Sequence, residues 1–477
     1  MKKLFLDTVG CQMNVLDSEL VVAGLRRQGY SLTDDPNDAD VVLFNTCSIR
    51  ELAEEKIYSA LGKLKARKRL APDIVIGVLG CMAQKDQEGI FKRAPHVDLV
   101  AGPGALEEIP ELVEEIRRTR KPQMSLSLDR GDAGRREVER SFASFDPLRD
   151  SDARPTRFQA FVRTQFGCDK FCTYCIVPSV RGPEQGRDPD AIVREVELLA
   201  TEGVVEVTLL GQTVNSYRYR HGDGRRVRFS DLLARVDAVP GIRRVKFVTS
   251  FPNDMTDDLL DAVRDLPNVA EYLHVPAQSG CDDVLSRMKR HYSVARYLEM
   301  VDRARERVPG VAISSDFIVG FCGETEESFQ RSCDLVRRAR FKNSFIFQYS
   351  ARPGTEAFAF ADDVPDEVKK RRNNELLAVQ QDVSRLEHRA LIGRTVEVLV
   401  EGPSRLSRTS AAGQLVGRSA GDHIVVFDGP ASLAGTFVKV KIEDATALTL
   451  YGDVDGLDPA QLPPRAPIRP RAALPVL

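Results

Sequence analysis

Three cysteines stand close together in the stretch GCDKFCTYC, at Cys168, Cys172 and Cys175. Soft thiolates at this spacing suit zinc or an iron–sulfur cluster. A structural zinc site normally closes with four ligands, yet the next cysteine is Cys281 and the nearest histidine is His221. Three ligands on a four-iron cluster leave one iron open to a substrate or cofactor. We interpret these three residues, called here the central triad, as an open iron–sulfur site, with zinc as the alternative.

Three further cysteines are far apart in sequence but share a context. Cys11, Cys47 and Cys81 each directly follow a short apolar run typical of a buried strand, in DTVGC, FNTC and GVLGC. The carboxyl ends of parallel strands meet at one edge of an open α/β sheet, where ligand sites form. We expect this N-terminal triad to meet in space, with Gly10 and Gly80 allowing close backbone approach to a cluster. Three unrelated buried cysteines are the alternative.

The elements that must position these cysteines follow from the alternation of strand and helix patterns. Residues 2–120 predict a Rossmann-like parallel α/β sheet, and the polar segment 121–155 indicates a linker. Residues 156–385 contain about six β/α units, which predicts a partial (β/α)6 barrel. Short strands at 386–453 predict a small all-β, OB-like barrel. The Pro- and Ala-rich residues 454–477 predict a disordered tail.

Two local patterns add expectations about helices. The stretch DSELVVAGLRRQGY has helical spacing, and Asp17 or Ser18 is predicted to cap its N-terminus. The basic run at 369–372 is interpreted as a solvated helix face, which is the usual meaning of such runs. Cys333 lies in a helix pattern and is predicted to belong to the core, and His274 is predicted to be a satisfied core histidine.

Composition excludes several classes of protein. The chain has 477 residues with 68 Lys plus Arg and 70 Asp plus Glu, so no global basic field attracts nucleic acid or a membrane. No apolar run approaches the roughly 18 residues that span a bilayer, and Asp7 interrupts the apolar N-terminus, which argues against a signal peptide. Nine cysteines in a large chain do not suit a secreted disulfide framework. A soluble, cytoplasmic, monomeric protein is expected.

The central motif C-x3-C-x2-C, with Tyr174 before its last cysteine, resembles that of the radical S-adenosylmethionine (SAM) enzymes. In that family the cysteines hold a 4Fe-4S cluster, and SAM binds the fourth iron. Cleavage of SAM yields a 5′-deoxyadenosyl radical that abstracts a hydrogen atom. The resemblance implies a catalytic role for Cys168, Cys172 and Cys175, and a cofactor-site role for Tyr174.

Other stretches resemble strand ends of the same family. GFCGETEESF is similar to the glycine-rich motif that meets the methionyl amino group, although Cys322 stands where the family usually has Pro. An ordinary strand–turn–helix connection, with Glu324 near the helix N-terminus, is the alternative. Thr213, in QTVNSY, replaces a usual Asn. The implied SAM or substrate contacts are Gly320, Gly323, Glu324, Gln212, Asn215, Gln278 and Asp316.

Both triads together resemble the methylthiotransferase branch of the radical SAM enzymes, over about residues 2–453. That branch has an N-terminal domain with a second 4Fe-4S cluster, a radical SAM domain and a C-terminal TRAM domain. NTCSIRE, HVPAQSG and YSARPGT most resemble the enzymes of the branch that act on tRNA. The resemblance implies methylthiolation at C2 of N6-dimethylallyladenosine 37 in the anticodon loop, with two SAM per turnover, an electron-donor protein and an unidentified sulfur donor.

The C-terminal barrel implies RNA contact by this resemblance. Arg405, Arg408 and Arg418 lie near predicted turns and are expected to meet phosphates; a solvated barrel surface is the alternative. Two enzymatic alternatives keep the reaction but change the acceptor, to threonylcarbamoyladenosine or to a ribosomal protein. A non-enzymatic alternative is an RNA-binding protein with structural metal sites.

Overall fold

The computed structural model describes residues 2–48, 51–126, 138–139, 141–142, 149–404 and 413–455, without the side chains of 51–53. Most of the predicted linker and nearly all of the predicted tail therefore lie outside the described residues. Within this described part, no helix is both long and apolar enough to cross a membrane.

Six strands form the N-terminal sheet: β1 (Lys2–Val9), β2 (Tyr30–Leu32), β3 (Val41–Thr46), β4 (Val75–Leu79), β5 (Leu99–Ala101) and β6 (Gln123–Ser125). All are parallel, in the order β2-β1-β3-β4-β5-β6, which confirms the predicted parallel sheet. The direction of winding reverses between β1 and β3. Ligand crevices form outside the carboxyl ends of strands at such a reversal, and the apolar runs of β3 and β4 are fully buried there.

Five helices cover the sheet: α1 (Gln12–Arg27), α2 (Glu51–Leu70), α3 (Cys81–Asp86), α4 (Glu88–Arg93) and α5 (Ile109–Thr119). Apolar residues of α1 and α5 share one core cluster with the strands, and those of α2, α3 and α4 share another. Parallel strands are buried on both faces in this way because helices lie on each side of the sheet. The two clusters hold the strand ends, and thus the three cysteines, in a fixed arrangement.

Helix α1 begins at Gln12, directly after Cys11, so the predicted cap at Asp17 or Ser18 is wrong. Both residues lie within the helix, and the surrounding fold buries their side chains. Asp17 forms ion pairs with distant arginines, and Ser18 accepts a hydrogen bond from Asn45 at 3.0 Å. Their long-range partners override the local preference of Asp and Ser for helix caps.

Strand β6 lies within the segment 121–155 that the sequence indicates as a linker. Its backbone pairs with β5 from Leu99–Gln123 to Ala101–Ser125. The strand is short, polar and at the edge of the sheet, so it carries no apolar run. Its pairing depends on main-chain groups, which leave little signal in the side-chain pattern.

The central domain contains ten strands: β7 (Gln159–Arg163), β8 (Gln165–Phe166), β9 (Gln185–Gly186), β10 (Glu206–Leu210), β11 (Arg218–Arg220), β12 (Arg226–Arg228), β13 (Arg244–Phe247), β14 (Tyr272–His274), β15 (Ala312–Val319) and β16 (Asn343–Gln348). Six of them form the parallel sheets β7-β10-β13 and β14-β15-β16, which a backbone bridge between Val245 and Val269 joins. This is the predicted partial (β/α)6 barrel. Strands β8–β9 and β11–β12 are antiparallel pairs.

Eight helices accompany these strands: α6 (Val177–Val180), α7 (Pro189–Thr201), α8 (Phe229–Asp237), α9 (Asp257–Asp265), α10 (Asp282–Arg287), α11 (Val294–Arg307), α12 (Glu326–Ala339) and α13 (Asp366–Arg389). Residues of α7, α8, α9, α11, α12 and α13 share one core cluster with the strands. That cluster includes Cys333, which is fully buried as predicted.

The C-terminal part is a closed barrel of five strands: β17 (Thr395–Pro403), β18 (Gln414–Ser419), β19 (Ile424–Asp428), β20 (Phe437–Ala445) and β21 (Thr449–Val454). The order is β17-β18-β19-β21-β20, which confirms the predicted small all-β barrel. Alternate side chains of these strands fill its interior.

One carboxylate fastens this barrel to the central domain. Asp422, in the turn between β18 and β19, lies 2.6 Å from Lys246 Nζ and 3.3 Å from Lys342 Nζ. It also lies 3.1 Å from Arg418 Nη1 in the barrel itself. Burial alone would raise the pKa of Asp422, but Lys246, Lys342 and Arg418 outweigh burial and lower the pKa below its ordinary value.

Replacing Asp422 with Asn is expected to destabilise the protein by about 3–5 kcal/mol, because the buried Lys246 and Lys342 lose their counter-ion and Arg418 keeps only part of its pairing. Urea unfolding at pH 7 measures the change. Asp444→Asn is the matched control, since Asp444 is an exposed carboxylate on the same barrel, and its effect should stay within about 0.5 kcal/mol. Equal stability of the two variants would contradict the account.

The same carboxylate gives the stability a defined pH dependence. Because the pKa of Asp422 is lowered in the folded state, its pairing stabilises the protein above the ordinary carboxyl pKa of 3.8 and is lost as the pH falls below it. The Asp422→Asn variant should therefore lose less stability than the parent between neutral and acidic pH.

Candidate active site

The N-terminal triad lies at one edge of the N-terminal sheet. Cys11 is the N-cap of α1 after β1, Cys47 follows β3, and Cys81 is the first residue of α3 after β4. The thiols of Cys11 and Cys47 are hydrogen-bonded, and Cys81 is close enough to interact electrostatically with Cys11. The structure thus brings the three predicted residues together beside the point where the strand order reverses.

Two buried asparagines hold this arrangement. The Cys11 thiol donates to Asn14 Oδ1 at 3.1 Å, and Asn14 Nδ2 donates to Asn45 Oδ1 at 3.0 Å. A Cβ atom at Gly80, where φ is +86°, would collide with Asn45 Oδ1. The glycine therefore leaves room for the Asn45 side chain, and its approach to a cluster stays a prediction. Sequence reasoning missed both asparagines, although a polar residue inside the apolar run VVLFNT was a signal.

The thiols of the N-terminal triad differ in acidity. A hydrogen bond from Cys47, with help from the charge of Arg181, lowers the pKa of Cys11 to about 6 against the opposing effect of burial. Burial raises the pKa of Cys81. Thiolates are the metal-binding form of cysteine, and these shifts make the Cys11 thiol more acidic than the Cys81 thiol.

The central triad lies in the loop that follows β8. Cys168 and Cys172 are buried, and the backbone N–H of Cys175 donates to the Cys172 carbonyl at 3.0 Å. Burial raises the pKa of Cys168 to about 11 and that of Cys175 to about 12. A Cβ at Gly167, where φ is +70°, would overlap the Pro183 carbonyl oxygen, so the loop needs glycine there.

The donor set fits an iron–sulfur cluster at each triad. Each triad offers three cysteine sulfurs, the donors that hold iron–sulfur clusters. Polar groups reach both triads, since the Cys11 thiol donates to Asn14 Oδ1 and Arg290 Nη1 donates to Cys172 Sγ. In the part of the chain described here, no three His, Cys, Asp or Glu side chains converge as ligands of one metal ion.

The N-terminal triad lies at the contact between the two domains. Cys81 packs against Ile176 and Val180, which follow the central triad in sequence. The Arg352 guanidinium donates to the carbonyl of Ser48, directly after Cys47. Residues next to both triads therefore take part in this domain contact.

A buried arginine contacts one cysteine of the central triad. Arg290 Nη1 donates to Cys172 Sγ at 3.4 Å, and its Nη2 donates to the Pro276 carbonyl at 3.0 Å. Its guanidinium also lies 4.8 Å from the ring centroid of Phe251. Sequence reasoning did not single out Arg290, because 118 residues separate it from the cysteine that it contacts.

The glycine-rich turn after β15 is built around Glu324. Its Oε2 accepts from the Gly320 N–H at 2.6 Å and from Arg372 Nη1 at 3.0 Å. Its Oε1 is buried and has no hydrogen-bond partner among the described residues. Burial raises the pKa of Glu324. The Gly323 N–H donates to Asp363 Oδ1 at 2.6 Å.

The basic run at 369–372 is only partly a solvated face. Lys369 is 3% exposed and lies 2.7 Å from Asp362, and Arg372 is 4% exposed. The interpretation as a solvated face is wrong for these two residues, because α13 packs against α12 and β16 and the buried cations meet carboxylates there.

Tyr174 lies beside an apolar cluster that contains two cysteines outside both triads, Cys281 and Cys322. Its ring meets Phe321 edge-on at 6.4 Å, and burial raises the pKa of its hydroxyl. Cys281 and Cys322 are buried in the same cluster. The Cys281 thiol donates to Ser328 Oγ at 3.4 Å, and the structure gives no reason for cysteine at position 322 where the family usually has Pro.

The remaining predicted contacts are engaged within the fold in different ways. Asn215 donates to the Phe251 carbonyl at 2.8 Å and accepts from the Phe251 N–H at 2.7 Å. Gln278 adopts φ +70° beside β15, and Gln212 is half-buried. Their contact with SAM or substrate stays a prediction.

His274 is satisfied at both ring nitrogens, as predicted. Its Nε2 lies 3.0 Å from Asp316 Oδ1, and its Nδ1 accepts from the Thr249 N–H at 3.2 Å. Asp316 is thereby held at the carboxyl-end half of β15. Its contact with SAM or substrate also stays a prediction.

The expected RNA-binding arginines have different positions. Arg405 and Arg408 lie outside the described residues. Arg418 lies 3.3 Å from Glu401 and 3.1 Å from Asp422. Arg418 is thus paired with two carboxylates beside the contact between the barrel and the central domain. Its contact with phosphate stays a prediction.

Three family models match the chain: "Uncharacterized protein family UPF0004" over residues 3–102, "Radical SAM superfamily" over 162–336 and "TRAM domain" over 389–454. A protein of Rhodopirellula baltica named tRNA-2-methylthio-N(6)-dimethylallyladenosine synthase is 56% identical over 466 residues, which are 97% of this chain and 97% of the relative. The chain belongs to the family of these synthases.

Other synthases of this family are similar over nearly their whole length. Proteins of the same name from Bordetella petrii and Moorella thermoacetica are 45% and 42% identical, covering 96% and 94% of this chain and 92% and 98% of the relatives. Family membership makes the chain a radical SAM enzyme.

Among solved structures, the radical SAM methyltransferase TsrM of Kitasatospora setae aligns with a TM-score of 0.55 at 15% identity, over 75% of this chain and 74% of its own. The cobalamin-dependent radical SAM enzyme OxsB aligns with a TM-score of 0.51 at 11% identity, over 79% and 56% of the two chains. At such identity these likenesses show the fold alone.

Proposed function

We propose that this chain adds a methylthio group to C2 of N6-dimethylallyladenosine at position 37 of tRNA. The observation that carries the proposal is the 56% identity to a named synthase of this reaction. The packing of Cys81 against Ile176 and Val180, which follow Cys175 in sequence, supports it. Transfer of sulfur to an unactivated C–H position needs a radical source and a sulfur-holding site within reach of one base.

The residues that would hold the two 4Fe-4S clusters are Cys168, Cys172 and Cys175 for one, and Cys11, Cys47 and Cys81 for the other. When bound, the first supplies the electron that cleaves SAM to a radical, and the second holds the sulfur to be transferred. Two SAM per turnover, an electron-donor protein and an external sulfur donor complete the proposed reaction.

The glycine-rich turn would bind SAM. Glu324 Oε1 is a buried acceptor without a hydrogen-bond partner among the described residues, and an ammonium group is the donor that a buried carboxylate prefers. Gly320 and Arg372 fix the carboxylate from its other side. The turn can thus orient the methionyl end of SAM while its own backbone stays in place.

Replacing Glu324 with Gln is expected to weaken SAM binding roughly 10-fold to 100-fold, because a charge-assisted hydrogen bond contributes about 1.5–3 kcal/mol. Equilibrium binding of SAM to the reconstituted protein measures the change, with iron content as the test of intact triads. Glu327→Gln is the matched control, since Glu327 is an exposed carboxylate on the same helix and pairs with Arg331 instead of Arg372. If both variants bind SAM like the parent, Glu324 does not bind SAM.

The target base must leave the anticodon loop to reach the interface. Loop bases of RNA can be splayed out and read at their edges. A cavity of about 390 Å³ is lined by Gln12, next to Cys11, by His274 of the central domain and by Arg418 of the C-terminal barrel. This volume lies in the range of ligand pockets. The C-terminal barrel, a TRAM domain, supports binding of the surrounding RNA.

The nucleoside profile of tRNA from a deletion strain tests the proposed acceptor. Loss of 2-methylthio-N6-dimethylallyladenosine, with accumulation of N6-dimethylallyladenosine, is the expected result, and the gene for the whole chain should restore the profile. Loss of a methylthio threonylcarbamoyladenosine instead, or an unchanged tRNA profile with an unmodified ribosomal protein, would overturn the proposal and name the alternative acceptor.

A further inference from the structure

A buried arginine connects the two domains beside the N-terminal triad. Arg181 follows α6 in the central domain and is 1% exposed. Its Nε donates to Cys81 Sγ at 3.4 Å, and its Nη2 donates to Asp17 Oδ2 at 2.8 Å. Asp17 lies on α1 of the N-terminal domain and is fully buried. The guanidinium is thus fixed in place by a carboxylate and aimed at a cysteine sulfur.

The third guanidinium nitrogen of Arg181, Nη1, is buried and has no hydrogen-bond partner among the described residues. Buried donors without partners are costly, and one beside a candidate site indicates a missing acceptor. The nearest candidate site is the N-terminal triad, where Cys81 and Cys11 both interact with the charge of Arg181.

We propose that Arg181 is a positioning residue for the cluster at the N-terminal triad: Nε holds Cys81, Nη1 donates to a cluster sulfur, and together they raise its reduction potential. The inference rests on the proposed function, since it requires a cluster there. Donors around the sulfurs of a cluster tune its potential. A cation and its N–H groups favour the reduced, more negative state, so they shift the potential upward.

The neighbouring Arg163 provides a matched comparison. Its Nη1 lies 3.3 Å from Asp17 Oδ1, so it pairs with the same carboxylate as Arg181. The contact to Cys81 Sγ is made by Arg181. Removal of either arginine removes one positive charge and one ion pair at Asp17. Only the removal of Arg181 also removes the N–H groups that lie beside Cys81.

The experiment uses the full chain with Cys168, Cys172 and Cys175 replaced by Ala, so that iron binds at the N-terminal triad only. Into this parent we introduce Arg181→Gln, Arg181→Lys or Arg163→Gln. The readouts are iron per chain and the midpoint potential of the cluster in an anaerobic titration followed by electron paramagnetic resonance. Neither readout depends on turnover.

We expect Arg181→Gln to shift the midpoint to a more negative potential, and Arg163→Gln to shift it less. Arg181→Lys, which keeps the charge but loses the planar fork, should lie between parent and Gln variant. Equal midpoints for the Arg181→Gln and Arg163→Gln variants would overturn the role of Arg181.

Three further outcomes are decisive. If Arg181→Gln binds no iron, the Lys variant decides, and a Lys variant with the parent's midpoint would overturn the donor role. A parent that binds no iron would overturn the proposed second cluster together with the role of Arg181. Iron bound with unchanged midpoints would overturn the role of Arg181 alone.

Discussion

Simultaneous replacement of Cys168, Cys172 and Cys175 with Ala is expected to abolish SAM cleavage, with 5′-deoxyadenosine falling below detection. The proposal gives these three thiols all the protein ligands of the cluster that supplies the electron, and no other route breaks the carbon–sulfur bond at a useful rate. Chromatography of the anaerobic reaction with a chemical reductant measures the product, and iron analysis should show the loss of one cluster per chain.

The control for this variant is Cys333→Ala. Cys333 is a fully buried core residue of α12, far in role from either triad. Its replacement should leave iron content and SAM cleavage at the level of the parent. Formation of 5′-deoxyadenosine by the triple variant would show that the central triad is not the radical site.

Simultaneous replacement of Cys11, Cys47 and Cys81 with Ala is expected to have a different effect. SAM cleavage should persist, because the central triad is intact, while the methylthio product should disappear completely. The physical reason is that the acceptor radical needs a sulfur held within reach, and the N-terminal triad is the second sulfur-rich site at the interface. Nucleoside mass spectrometry and 5′-deoxyadenosine analysis of the same reaction measure both outcomes.

This separation of the two activities is the informative part of the experiment. Cys281→Ala is a suitable control, since Cys281 is buried in the cluster around Phe321 and belongs to neither triad. If the N-terminal variant still forms methylthio product, sulfur reaches the base without this triad. If it also loses SAM cleavage, the two triads do not act separately.

The sequence predicted the fold and the two triads because their signals are local. Each cysteine of the N-terminal triad directly follows an apolar run, and parallel strands end at one edge, so Cys11, Cys47 and Cys81 could be placed together without coordinates. The same reasoning could not find β6, whose polar residues give no run.

The contacts around the triads could not be predicted from the sequence, because they join distant parts of the chain. Arg181 meets Asp17 across 164 positions and Cys81 across 100. A local rule treated Asp17 as a helix cap, yet its partners are buried arginines of another domain. Arg418, expected to contact RNA, pairs locally with Asp422, and it is Asp422 that meets the distant Lys246 and Lys342.

Mass-spectrometric nucleoside analysis of a reconstituted reaction tests the central claim most directly. The anaerobic protein with both clusters receives SAM, a reductant, a sulfur source and one of two tRNAs, which differ only in the dimethylallyl group on adenosine 37. The account predicts a C2-methylthio product from the dimethylallyl tRNA alone. A methylthio product on the unmodified tRNA, or none on either while SAM is cleaved, would contradict it.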